Sequence, residues 1–459
     1  MSLTFAELPL RKETIEALNA NGFVSPFAIQ EMVLPIALSD GDVIGQAKTG
    51  TGKTLAFGIP VIERVIGPDD AEWADFPHKG LPQALIVVPT RELCVQVAKD
   101  LQVIAENRSI RVAAVYGGRA FEPQIEQLHN GVEIVVGTPG RLLDLYRQGQ
   151  LKLSKVGRLV LDEADEMLDL GFLPDVEKIF TSTPIRQQTM LFSATMPGDI
   201  IALARRFMTQ PVHIRTQENN DESAVVSRVE QHVLRAHALD KIEMLARILQ
   251  AEGRGPTMVF CRTKRTCQKT ADDLLERGFR AAAIHGDLGQ SAREKALADF
   301  KAGKSDVLVA TDVAARGIDI DGITHVINYQ CPEDDKTYVH RIGRTARAGA
   351  TGIGVTFVDW DDMSRWSLIN QSLKLGLAEP LETYSSSDHL FSSLNIPTGS
   401  TGRITKVANI RAVTKADFVE RTTPSRTQSK SKHAPKLAAP AREKSERVRT
   451  RNKKFKTEA

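Results

Sequence analysis

Short apolar segments alternate with helical patterns along most of this chain. Before position 200, β-branched and other apolar residues recur in the segments DVIGQ, ALIVVP, RVAAVYGG, EIVVGT, RLVLDEAD and TMLFSAT. A second series repeats the pattern between positions 256 and 359, in PTMVFCRT, AAAIHGD, DVLVATD, HVINYQ and GVTFVD. Apolar strands that alternate with helices are typical of a parallel sheet covered by crossover helices. The pattern therefore predicts an α/β fold with two such domains in tandem.

A polar segment separates the two series. Residues 217–223 (QENNDES) have no apolar periodicity, as expected of a linker. The predicted organisation is a first domain over 1–214, a linker over 215–226 and a second domain over 227–378. Within the first domain, residues 67–82 carry three prolines, and this predicts a surface loop whose function the sequence does not indicate.

The last part of the chain differs in composition. From about residue 379, Ser, Thr, Pro, Lys and Arg predominate, which predicts a disordered basic tail over 379–459, although Phe391, Leu394 and Ile396 could pack locally. From Thr401 onward there are 17 Lys+Arg against 5 Asp+Glu, which leaves 43 against 52 in the preceding 400 residues. A basic tail on a mildly acidic body suits a polyanionic partner. A solvated terminus without a partner is an equal alternative.

Composition narrows the class of protein further. With 459 residues, 42% hydrophobic and 25% charged, the chain is long enough to bury more than one core and is typical of a soluble globular protein. The first residues lack the features of a secretory signal, and no apolar stretch approaches membrane-spanning length, so we expect a cytoplasmic protein. The cysteines have no Cys-x-x-Cys spacing and are expected to be reduced packing residues: Cys94, Cys261, Cys267 and Cys331.

The segment AKTGTGKT at 47–54 has the sequence of a phosphate-binding loop. It follows the DVIGQ strand and precedes LAFGIPVIERVI, which has helical spacing, and such loops need this strand, loop and helix context. Gly50 and Gly52 allow backbone N–H groups to turn toward phosphate oxygens. Lys53 supplies positive charge to the β and γ phosphates, and the Thr54 hydroxyl is a candidate ligand of Mg²⁺. The segment therefore predicts a nucleoside triphosphate site.

Adjacent carboxylates follow an apolar strand in VLDEAD at 160–165. Beside a phosphate-binding loop, one acid in this position holds Mg²⁺, largely through water, and its neighbour orients the attacking water. These roles are assigned to Asp162 and Glu163. Taken alone, the same four residues would more often be a solvated loop or a helix start than a catalytic site.

A series of motifs resembles one known family. In order, GFVSPFAIQ, AKTGTGKT, PTREL, GG, TPGR, DEAD, SAT, VFCRT, HGDLGQSAR, VATDVAARGID and YVHRIGRTARAG are similar to the complete motif set of the DEAD-box RNA helicases, over roughly residues 5–350. The resemblance implies two RecA-like domains, ATP and Mg²⁺ as cofactors, and RNA as the partner of a monomeric enzyme. It implies ATP hydrolysis coupled to local, non-processive unwinding of RNA duplexes or remodelling of RNA–protein complexes.

The same resemblance implies the ATP contacts. Gln30 of the Q motif would read the adenine edge, because its amide offers both a donor and an acceptor. Phe5 matches an upstream aromatic residue near the base, and Asp319 matches a ribose contact from the second domain. The full implied set is Phe5, Phe23, Gln30, Ala47, Lys48, Thr49, Gly50, Thr51, Gly52, Lys53, Thr54 and Asp319.

The HRIGRTAR motif would contribute from the second domain. If its residues form one helix, His340, Arg344 and Arg347 share a face. The resemblance implies that Arg344 and Arg347 are arginine fingers for the γ phosphate. A basic helix face that is solvated or binds RNA is the plainer alternative. The implied catalytic set is Lys53, Asp162, Glu163, His340, Arg344 and Arg347.

Further motifs match RNA-facing positions of the family. In the first domain these are Pro89, Thr90, Arg91, Gly117, Gly118, Thr138 and Arg141, and in the second domain Arg262, Gly286, Asp287 and Thr311. Hydroxyls, backbone amides and arginines suit phosphate and 2′-hydroxyl contacts, so binding should be largely independent of RNA sequence. The SAT motif would couple the ATP site to unwinding, through Ser193, Ala194 and Thr195.

Two alternative functions share many of these residues. A DNA helicase or translocase of the wider superfamily would have the phosphate-binding loop and the arginine fingers, but the Q motif, PTREL and HRIGRTAR argue against it. An ATP-dependent RNA clamp or assembly scaffold without productive unwinding would keep every catalytic residue. The sequence leaves that second alternative open.

Overall fold

A computed structural model describes residues 3–47, 50–216, 228–315, 318, 320, 322–345 and 351–404. Four predicted site residues lie outside the described residues: Lys48, Thr49, Asp319 and Arg347. Most of the predicted linker, 217–226, and the part of the predicted tail from residue 405 also lie outside them.

The first domain contains a sheet of seven strands. They are β1 Val43–Gln46, β2 Ala84–Val87, β3 Val112–Val115, β4 Ile134–Gly137, β5 Arg158–Leu161, β6 Gln188–Ser193 and β7 Val212–Arg215. Their order is β3-β4-β2-β5-β6-β1-β7, and all their pairings are parallel. Every residue of β2, β4 and β6 is buried, because helices cover both faces of a parallel sheet.

The second domain repeats this arrangement. Its strands are β8 Val229–Ala236, β9 Thr257–Cys261, β10 Ala281–Ile284, β11 Val307–Thr311, β12 His325–Asn328, β13 Gly352–Val358 and β14 Leu381–Thr383. Their order is β10-β11-β9-β12-β13-β8-β14, again with parallel pairings. Each strand therefore has the same neighbours as the strand seven positions earlier in the chain. The prediction of two tandem α/β domains with parallel sheets is confirmed.

Helices connect the strands. In the first domain they are α1 Lys12–Ala20, α2 Ala28–Ala37, α3 Lys53–Arg64, α4 Arg91–Ile104, α5 Glu122–His129, α6 Pro139–Arg147, α7 Ala164–Asp169, α8 Leu173–Ser182 and α9 Gly198–Phe207. In the second they are α10 Lys241–Ile248, α11 Lys264–Glu276, α12 Gln290–Lys301, α13 Asp312–Ala315, α14 Asp335–Ile342, α15 Met363–Leu373 and α16 Asp388–Ser393. Short 3-10 helices occupy Phe5–Glu7, Ala71–Trp73 and Trp360–Asp362. No helix in the described part of the chain combines the length and the apolar character needed to cross a membrane.

Two buried cysteines occupy equivalent places in the two domains. The Cys94 thiol donates to the Val136 carbonyl of β4 at 3.3 Å, and the Cys267 thiol donates to the Val309 carbonyl of β11 at 3.2 Å. Burial raises the pKa of both thiols. All four cysteines are free and buried, as residues that contribute to packing are expected to be.

The second domain extends beyond the predicted boundary at 378. Strand β14 pairs with β8 as the seventh strand of the sheet, and α16 follows it. Leu390, Leu394 and Ile396 are at most 4% exposed and belong to the same core as β8 and β9. The predicted disorder was therefore wrong for residues 379–404, whereas local packing of Phe391, Leu394 and Ile396 is confirmed, with Phe391 partly buried against the same core. A few well-spaced apolar side chains are enough to complete an existing core.

The predicted loop at 67–82 is fixed to the first domain by Asp70. Its carboxylate accepts from the Gly67 N–H at 2.6 Å and pairs with Arg108 and Arg11, each at 2.6 Å. Although burial raises the pKa of Asp70, the Gly67 N–H and the Arg108 guanidinium lower it below its usual value. The loop therefore has a defined conformation at the surface.

Candidate functional site

Helices α3 to α7 begin directly after strands β1 to β5, so the motifs of the first domain meet at the carboxyl edge of its sheet. A cavity of about 440 Å³ lies there. It is lined by Asn21, Phe23, Phe27, Gly50, Gly52, Lys53, Thr54, Leu55, Leu93, Gln96, Asp100, Val103, Asp162, Glu163, Ile318 and Arg344. The cavity brings the predicted phosphate-binding residues and acids together with one predicted arginine finger from the second domain.

The glycine-rich loop has a backbone that glycine allows. Gly50 and Gly52 both have φ of +82°, in the left-handed region that side chains disfavour. Gly52 is the N-cap of α3, and Lys53 is the first residue of that helix. The exposed N–H groups and the dipole at a helix N-terminus favour an anion. This end of the cavity therefore suits phosphate.

Lys53 and the two acids form a buried charge cluster. Lys53 Nζ lies 2.8 Å from Glu163 Oε1, and all three side chains are nearly inaccessible. Burial lowers the pKa of Lys53, but Glu163 and Asp162 together raise it above its usual value, so the ammonium persists. Burial raises the pKa of Asp162 to about 7; Lys53 opposes this change and Glu163 adds to it. The cluster has two carboxyl groups and only one ammonium group, so it suits a further cation.

Glu163 lies in an uncommon backbone conformation. Its φ of 52° and ψ of 54° are left-handed, and it is the N-cap of α7. The Glu163 N–H donates to Asp162 Oδ1 at 3.0 Å. Such conformations in residues other than glycine cost energy and cluster at functional sites. The turn directs both carboxylates into the cavity.

The SAT motif is hydrogen-bonded to the last acid of the DEAD motif. Asp165 accepts from the Thr195 N–H and from Thr195 Oγ1, each at 2.8 Å. Ser193 Oγ donates to the Thr195 carbonyl at 2.6 Å and accepts from the Asp165 N–H at 3.2 Å. Ala194 contributes its carbonyl, which accepts from Gln46 at 3.5 Å. Asp165 was not among the predicted site residues, although its place in the motif was a signal.

The Q motif supports the phosphate-binding loop. Gln30 is fully buried, its Nε2 donates to the Gly52 carbonyl at 2.8 Å, and its Oε1 accepts from the Phe27 N–H at 2.9 Å. A Cβ at Gly52 would lie 2.3 Å from Gln30 Nε2. The contact between Gln30 and adenine remains a prediction, since this amide is engaged with the loop.

Phe5 lies apart from the cavity. It is 1% exposed, belongs to the core of the first domain, and donates its N–H to the Val24 carbonyl at 3.1 Å. Its ring packs in the apolar core and is absent from the lining of the cavity, so the contact with the base stays a prediction. Among the described residues, the aromatic side chains that line the cavity are Phe23 and Phe27. The sequence prediction named Phe23 but missed Phe27.

The HRIGRTAR segment is only partly helical. Helix α14 ends at Ile342 and Gly343 is its C-cap, so Arg344 lies in the following turn and does not share a helical face with His340. Arg344 Nη1 donates to the Ile318 carbonyl at 2.9 Å, and His340 is exposed on α14. Arg341 is 1% exposed and forms a two-bonded ion pair with Asp312 at 2.6 and 2.7 Å.

The predicted RNA-facing residues lie at equivalent sheet edges. In the first domain they follow the adjacent strands β2, β3 and β4: Pro89, Thr90 and Arg91, then Gly117 and Gly118, then Thr138 and Arg141. In the second domain they follow or end the equivalent strands β9, β10 and β11: Arg262, then Gly286 and Asp287, then Thr311. The structure thus brings each set to one carboxyl edge.

Several of these side chains have protein partners. Thr90 Oγ1 caps α4 by accepting from the Leu93 N–H at 3.3 Å. Arg141 donates to the Arg119 carbonyl at 2.9 Å. In the second domain, Arg262 pairs with Asp362 at 3.1 and 3.0 Å, and Asp287 pairs with Lys264 at 2.7 Å. Thr311 is 6% exposed.

Contacts between the domains involve the predicted residue Arg91 and several residues that the sequence prediction missed. Arg91 Nη1 donates to Gln290 Oε1 at 3.3 Å. Glu92 and Arg293 form an ion pair at 2.9 Å, and their side chains are 8% and 10% exposed. Arg119 and Glu294 form a more exposed pair at 2.6 Å. Residues 290, 293 and 294 lie on the first turns of α12 at helical spacing, so this helix packs on the carboxyl edge of the first domain.

Family models match both domains in sequence order. The model described as DEAD/DEAH box helicase matches residues 27–203, and the model described as helicase conserved C-terminal domain matches residues 240–349. The DEAD-box ATP-dependent RNA helicase CshA of Bacillus subtilis is 44% identical over 374 residues, 82% of this chain and 73% of that protein. CshA of Geobacillus kaustophilus is 44% identical over 81% of this chain and 77% of its own length.

Solved structures give the same assignment. Dbp5 of Saccharomyces cerevisiae, bound to RNA and ADP BeF3, is 29% identical with a TM-score of 0.71, covering 86% of this chain and 98% of that one. Mss116p, bound to ssRNA and AMP-PNP, is 27% identical with a TM-score of 0.71, covering 86% of this chain and 82% of its own. Together with the two family models and the 44% identity to CshA, these likenesses establish that the chain belongs to the DEAD-box family and is an ATP-dependent RNA helicase, which makes it an ATP hydrolase.

Proposed function

We propose that ATP binds in the 440 Å³ cavity and that its hydrolysis drives local, non-processive unwinding of RNA duplexes or remodelling of RNA–protein complexes. The observation that carries this proposal is the lining of the cavity, in which Arg344 of the second domain faces Lys53 and Glu163 of the first. RNA-facing segments also come from both domains. Ligands that favour the same arrangement of two domains strengthen each other's binding, so ATP and RNA should bind cooperatively.

The residues of the cavity suit distinct roles. Gly50, Gly52 and Lys53 would hold the phosphates, and Glu163 would orient the attacking water. Arg344 would stabilise charge on the γ phosphate, with Arg347 and His340 from the same motif. The hydrogen bonds of Asp165 to Thr195 support a coupling role for residues 193–195, because movement of either motif moves the other.

The donor set fits Mg²⁺. Asp162 is 3% exposed with a pKa raised to about 7, so this buried acid gains from a cation, and Thr54 lines the same cavity. No group of three or more His, Cys, Asp or Glu side chains suited to a metal occurs among the described residues. Mg²⁺ commonly uses one or two protein oxygens, with water and substrate phosphates. When bound, it neutralises charge on the phosphate oxygens; Thr54 and Asp162 would hold it, Asp162 largely through water.

RNA binding by the core is proposed to be largely independent of sequence. The RNA-facing residues offer hydroxyls, arginines and backbone amides, which suit phosphate and sugar contacts. The RNA in the related structures of Dbp5 and Mss116p supports this assignment. The basic residues after Thr401 are proposed to add sequence-independent affinity, and the enzyme is proposed to act as a monomer.

The test is ATP hydrolysis with and without single-stranded RNA, for the wild type and for Glu163→Gln. RNA should stimulate the wild type, and the variant should lose turnover by roughly 100-fold or more while it keeps nucleotide binding. Glu177→Gln, an exposed change on α8, serves as the control. Turnover that RNA leaves unchanged would contradict the proposal. ATP-dependent RNA binding without strand displacement would favour the alternative of an RNA clamp.

A further inference from the structure

The first domain has a second cavity, of about 610 Å³, on the side opposite the ATP cavity. Its walls are the end of the 67–82 loop and the segments that lead into β3, β4 and β5. Because the strands are parallel, these segments all lie at the amino edge of the sheet, and we call this space the amino-edge cavity. None of the residues that form the predicted ATP or RNA sites lines it.

The lining of the amino-edge cavity is basic. Lys79, Arg111, His129 and Lys152 line it, and none of its lining residues is acidic. Arg111 is paired with the buried Glu133, so most of the uncompensated charge comes from Lys79 and Lys152, which are both exposed. Such a concave basic surface attracts phosphate groups.

An aromatic ring lies beside these cations. Trp73 lines the cavity, and Phe76 supports it with ring centroids 6.1 Å apart. Lys79 Nζ lies 6.0 Å from the Trp73 centroid and donates to the Ala74 carbonyl at 2.7 Å. A ring held in place by its neighbours loses little conformational freedom when a base stacks on it. Aromatic side chains among cations are the usual means of binding single-stranded nucleic acid without sequence preference.

The wall of the cavity is a close backbone crossing. Gly80 and Gly131 have φ of +74° and +86°, and a Cβ at Gly131 would lie 2.9 Å from Gly80 Cα. The Val132 N–H donates to the Gly80 carbonyl at 3.3 Å. The 67–82 loop is therefore held against the segment before β4, and the cavity is a fixed feature of the fold.

Two helices join the predicted RNA-facing edge to this cavity. Helix α5 begins shortly after Gly118 and ends at His129, and α6 begins after Thr138 and ends shortly before Lys152. Helices of eight and nine residues are about 12–14 Å long, roughly four nucleotides at the 3.4 Å spacing of a stacked strand. RNA that leaves the carboxyl edge can therefore reach the amino-edge cavity along the outside of the first domain.

We propose that the amino-edge cavity binds the single-stranded flank of an RNA whose other part occupies the helicase core. A base stacks on Trp73, and Lys79 and Lys152 hold the adjoining phosphates. The inference rests on the RNA binding proposed above for the carboxyl edge. It assigns a function to the 67–82 loop, whose end supplies both Trp73 and Lys79.

The test measures the affinity of the full-length protein for oligouridylates of increasing length, with a non-hydrolysable ATP analogue and by fluorescence anisotropy. For the wild type, affinity should rise with RNA length until the helicase core is filled. It should rise a second time once the RNA is long enough to reach the amino-edge cavity. The Trp73→Ala variant should bind long RNA about tenfold more weakly than the wild type does. The double variant Lys79→Glu with Lys152→Glu should show a loss of the same size. Affinity for short RNA, and ATP hydrolysis with short RNA, should stay unchanged.

A matched control separates this site from general electrostatics. Lys12→Glu with Lys178→Glu changes the net charge equally, at exposed lysines of α1 and α8 that pair only within their own helices. In the cavity variant alone, the plot of log affinity for long RNA against log salt concentration should become less steep. Its slope should change by about 0.7 for each phosphate contact that is lost.

Two outcomes would overturn the inference. One is the same gain of affinity with RNA length in both cavity variants as in the wild type, and the other is an equal loss of affinity in the control variant. Failure of the wild type to bind even short RNA would instead contradict the proposed function of the core. If the double charge reversal fails to fold, two milder variants test the same contacts. They are the single variant Trp73→Ala and the double variant Lys79→Ala with Lys152→Ala.

Discussion

Gln30 shows how one side chain links two parts of the nucleotide site. Its Nε2 donates to the Gly52 carbonyl, and its Oε1 accepts from the Phe27 N–H. The chain segment that would surround the base therefore holds the loop that would surround the phosphates. A nucleotide that moves the loop also moves Gln30, so binding at one end of the cavity affects the other.

Exchanging one atom of Gln30 tests this link. In Gln30→Glu a carboxylate oxygen replaces Nε2 and faces the Gly52 carbonyl, so a hydrogen bond becomes a repulsion at a buried position. Loss of a buried hydrogen bond to an uncompensated charge costs a few kcal/mol, and we expect KM for ATP to rise by roughly tenfold or more. Steady-state kinetics with ATP and GTP provide the measurement.

Gln30→Met is the companion variant, because it removes both hydrogen bonds without adding charge. It should raise KM for ATP less than Gln30→Glu does. If both variants lose discrimination between ATP and GTP while KM for ATP stays constant, Gln30 reads the base and does not support the loop.

His325 should make the stability of the second domain sensitive to mild acid. It is 3% exposed at the start of β12, where burial, followed by the charge of Arg254, lowers its pKa from 6.5 to about 4. Below pH 6.5 the unfolded chain binds a proton that the folded domain excludes. The contribution of His325 to the free energy of unfolding is therefore fully present above pH 6.5. It falls between pH 6.5 and pH 4 by roughly 3 kcal/mol, at 1.36 kcal/mol per pH unit.

Urea unfolding between pH 4 and 7 measures this dependence. In a Trp73→Phe background the remaining tryptophans, Trp360 and Trp366, both belong to the second domain and report on it. His325→Gln should flatten the decline, whatever its stability at pH 7. An identical decline in the two proteins would assign the acid sensitivity to other groups.

At the residue scale, the sequence predicted the chemistry better than the packing. Lys53, Asp162 and Glu163 meet in one cavity because short motifs fix their position relative to a strand end. The location of Phe5 depended on whether its ring enters the core or faces the ligand, and an apolar aromatic residue suits both. Local pattern cannot distinguish these environments.

Among the elements, β14 and α16 show how little sequence is needed to complete a domain. β14 has three residues, yet it is the counterpart of β7 in the first domain. The composition after 379 resembles a tail because polar residues surround the few apolar ones. Neither β14 nor β7 is among the apolar segments that the sequence pattern singled out, because both are short strands at the edge of a sheet.

Truncation tests the contribution of this segment. A chain that ends at 404 keeps β14, α16 and the buried Leu390, Leu394 and Ile396, whereas a chain that ends at 378 exposes the core beneath them. Loss of three large apolar side chains should cost several kcal/mol and lower the melting temperature of the second domain by at least several degrees. Calorimetry on the two truncated chains and on the full chain measures this difference.

The chain that ends at 404 should melt like the full chain. Ile396→Ala in the full-length protein is the milder companion change, and we expect it to destabilise by about 2–4 kcal/mol. Equal melting of the chains that end at 378 and 404 would show that the segment packs without stabilising the domain.

Across the whole molecule, the two domains present equivalent edges to each other. The loops after β2, β3 and β4 and those after β9, β10 and β11 carry the RNA-facing residues, and α12 joins one edge to the other. The sequence predicted that both domains would contribute. It did not predict which helix would form the contact, because pairs such as Glu92 and Arg293 are far apart in the chain and belong to no local pattern.

The buried pair between Glu92 and Arg293 should stabilise the arrangement in which ATP is hydrolysed. Both side chains are about 90% buried, and breaking a buried ion pair leaves one charge without compensation, at a cost of about 3–5 kcal/mol. Glu92→Arg would also place a third guanidinium beside Arg91. Either single reversal, Glu92→Arg or Arg293→Glu, should therefore lower RNA-stimulated ATP hydrolysis by at least roughly tenfold, while the unstimulated rate changes little.

The double reversal of Glu92 and Arg293 should recover part of the lost stimulation, since opposite charges meet again across the same contact. The pair between Arg119 and Glu294 provides an internal comparison, because it crosses the same boundary but is 50% and 37% exposed. Its reversal should have a small effect, as expected of a solvated ion pair. If reversal of either pair lowers RNA-stimulated ATP hydrolysis equally, long-range charge and not the buried contact holds the domains together. If the losses of the two single variants add in the Glu92 and Arg293 double variant, the two residues act separately.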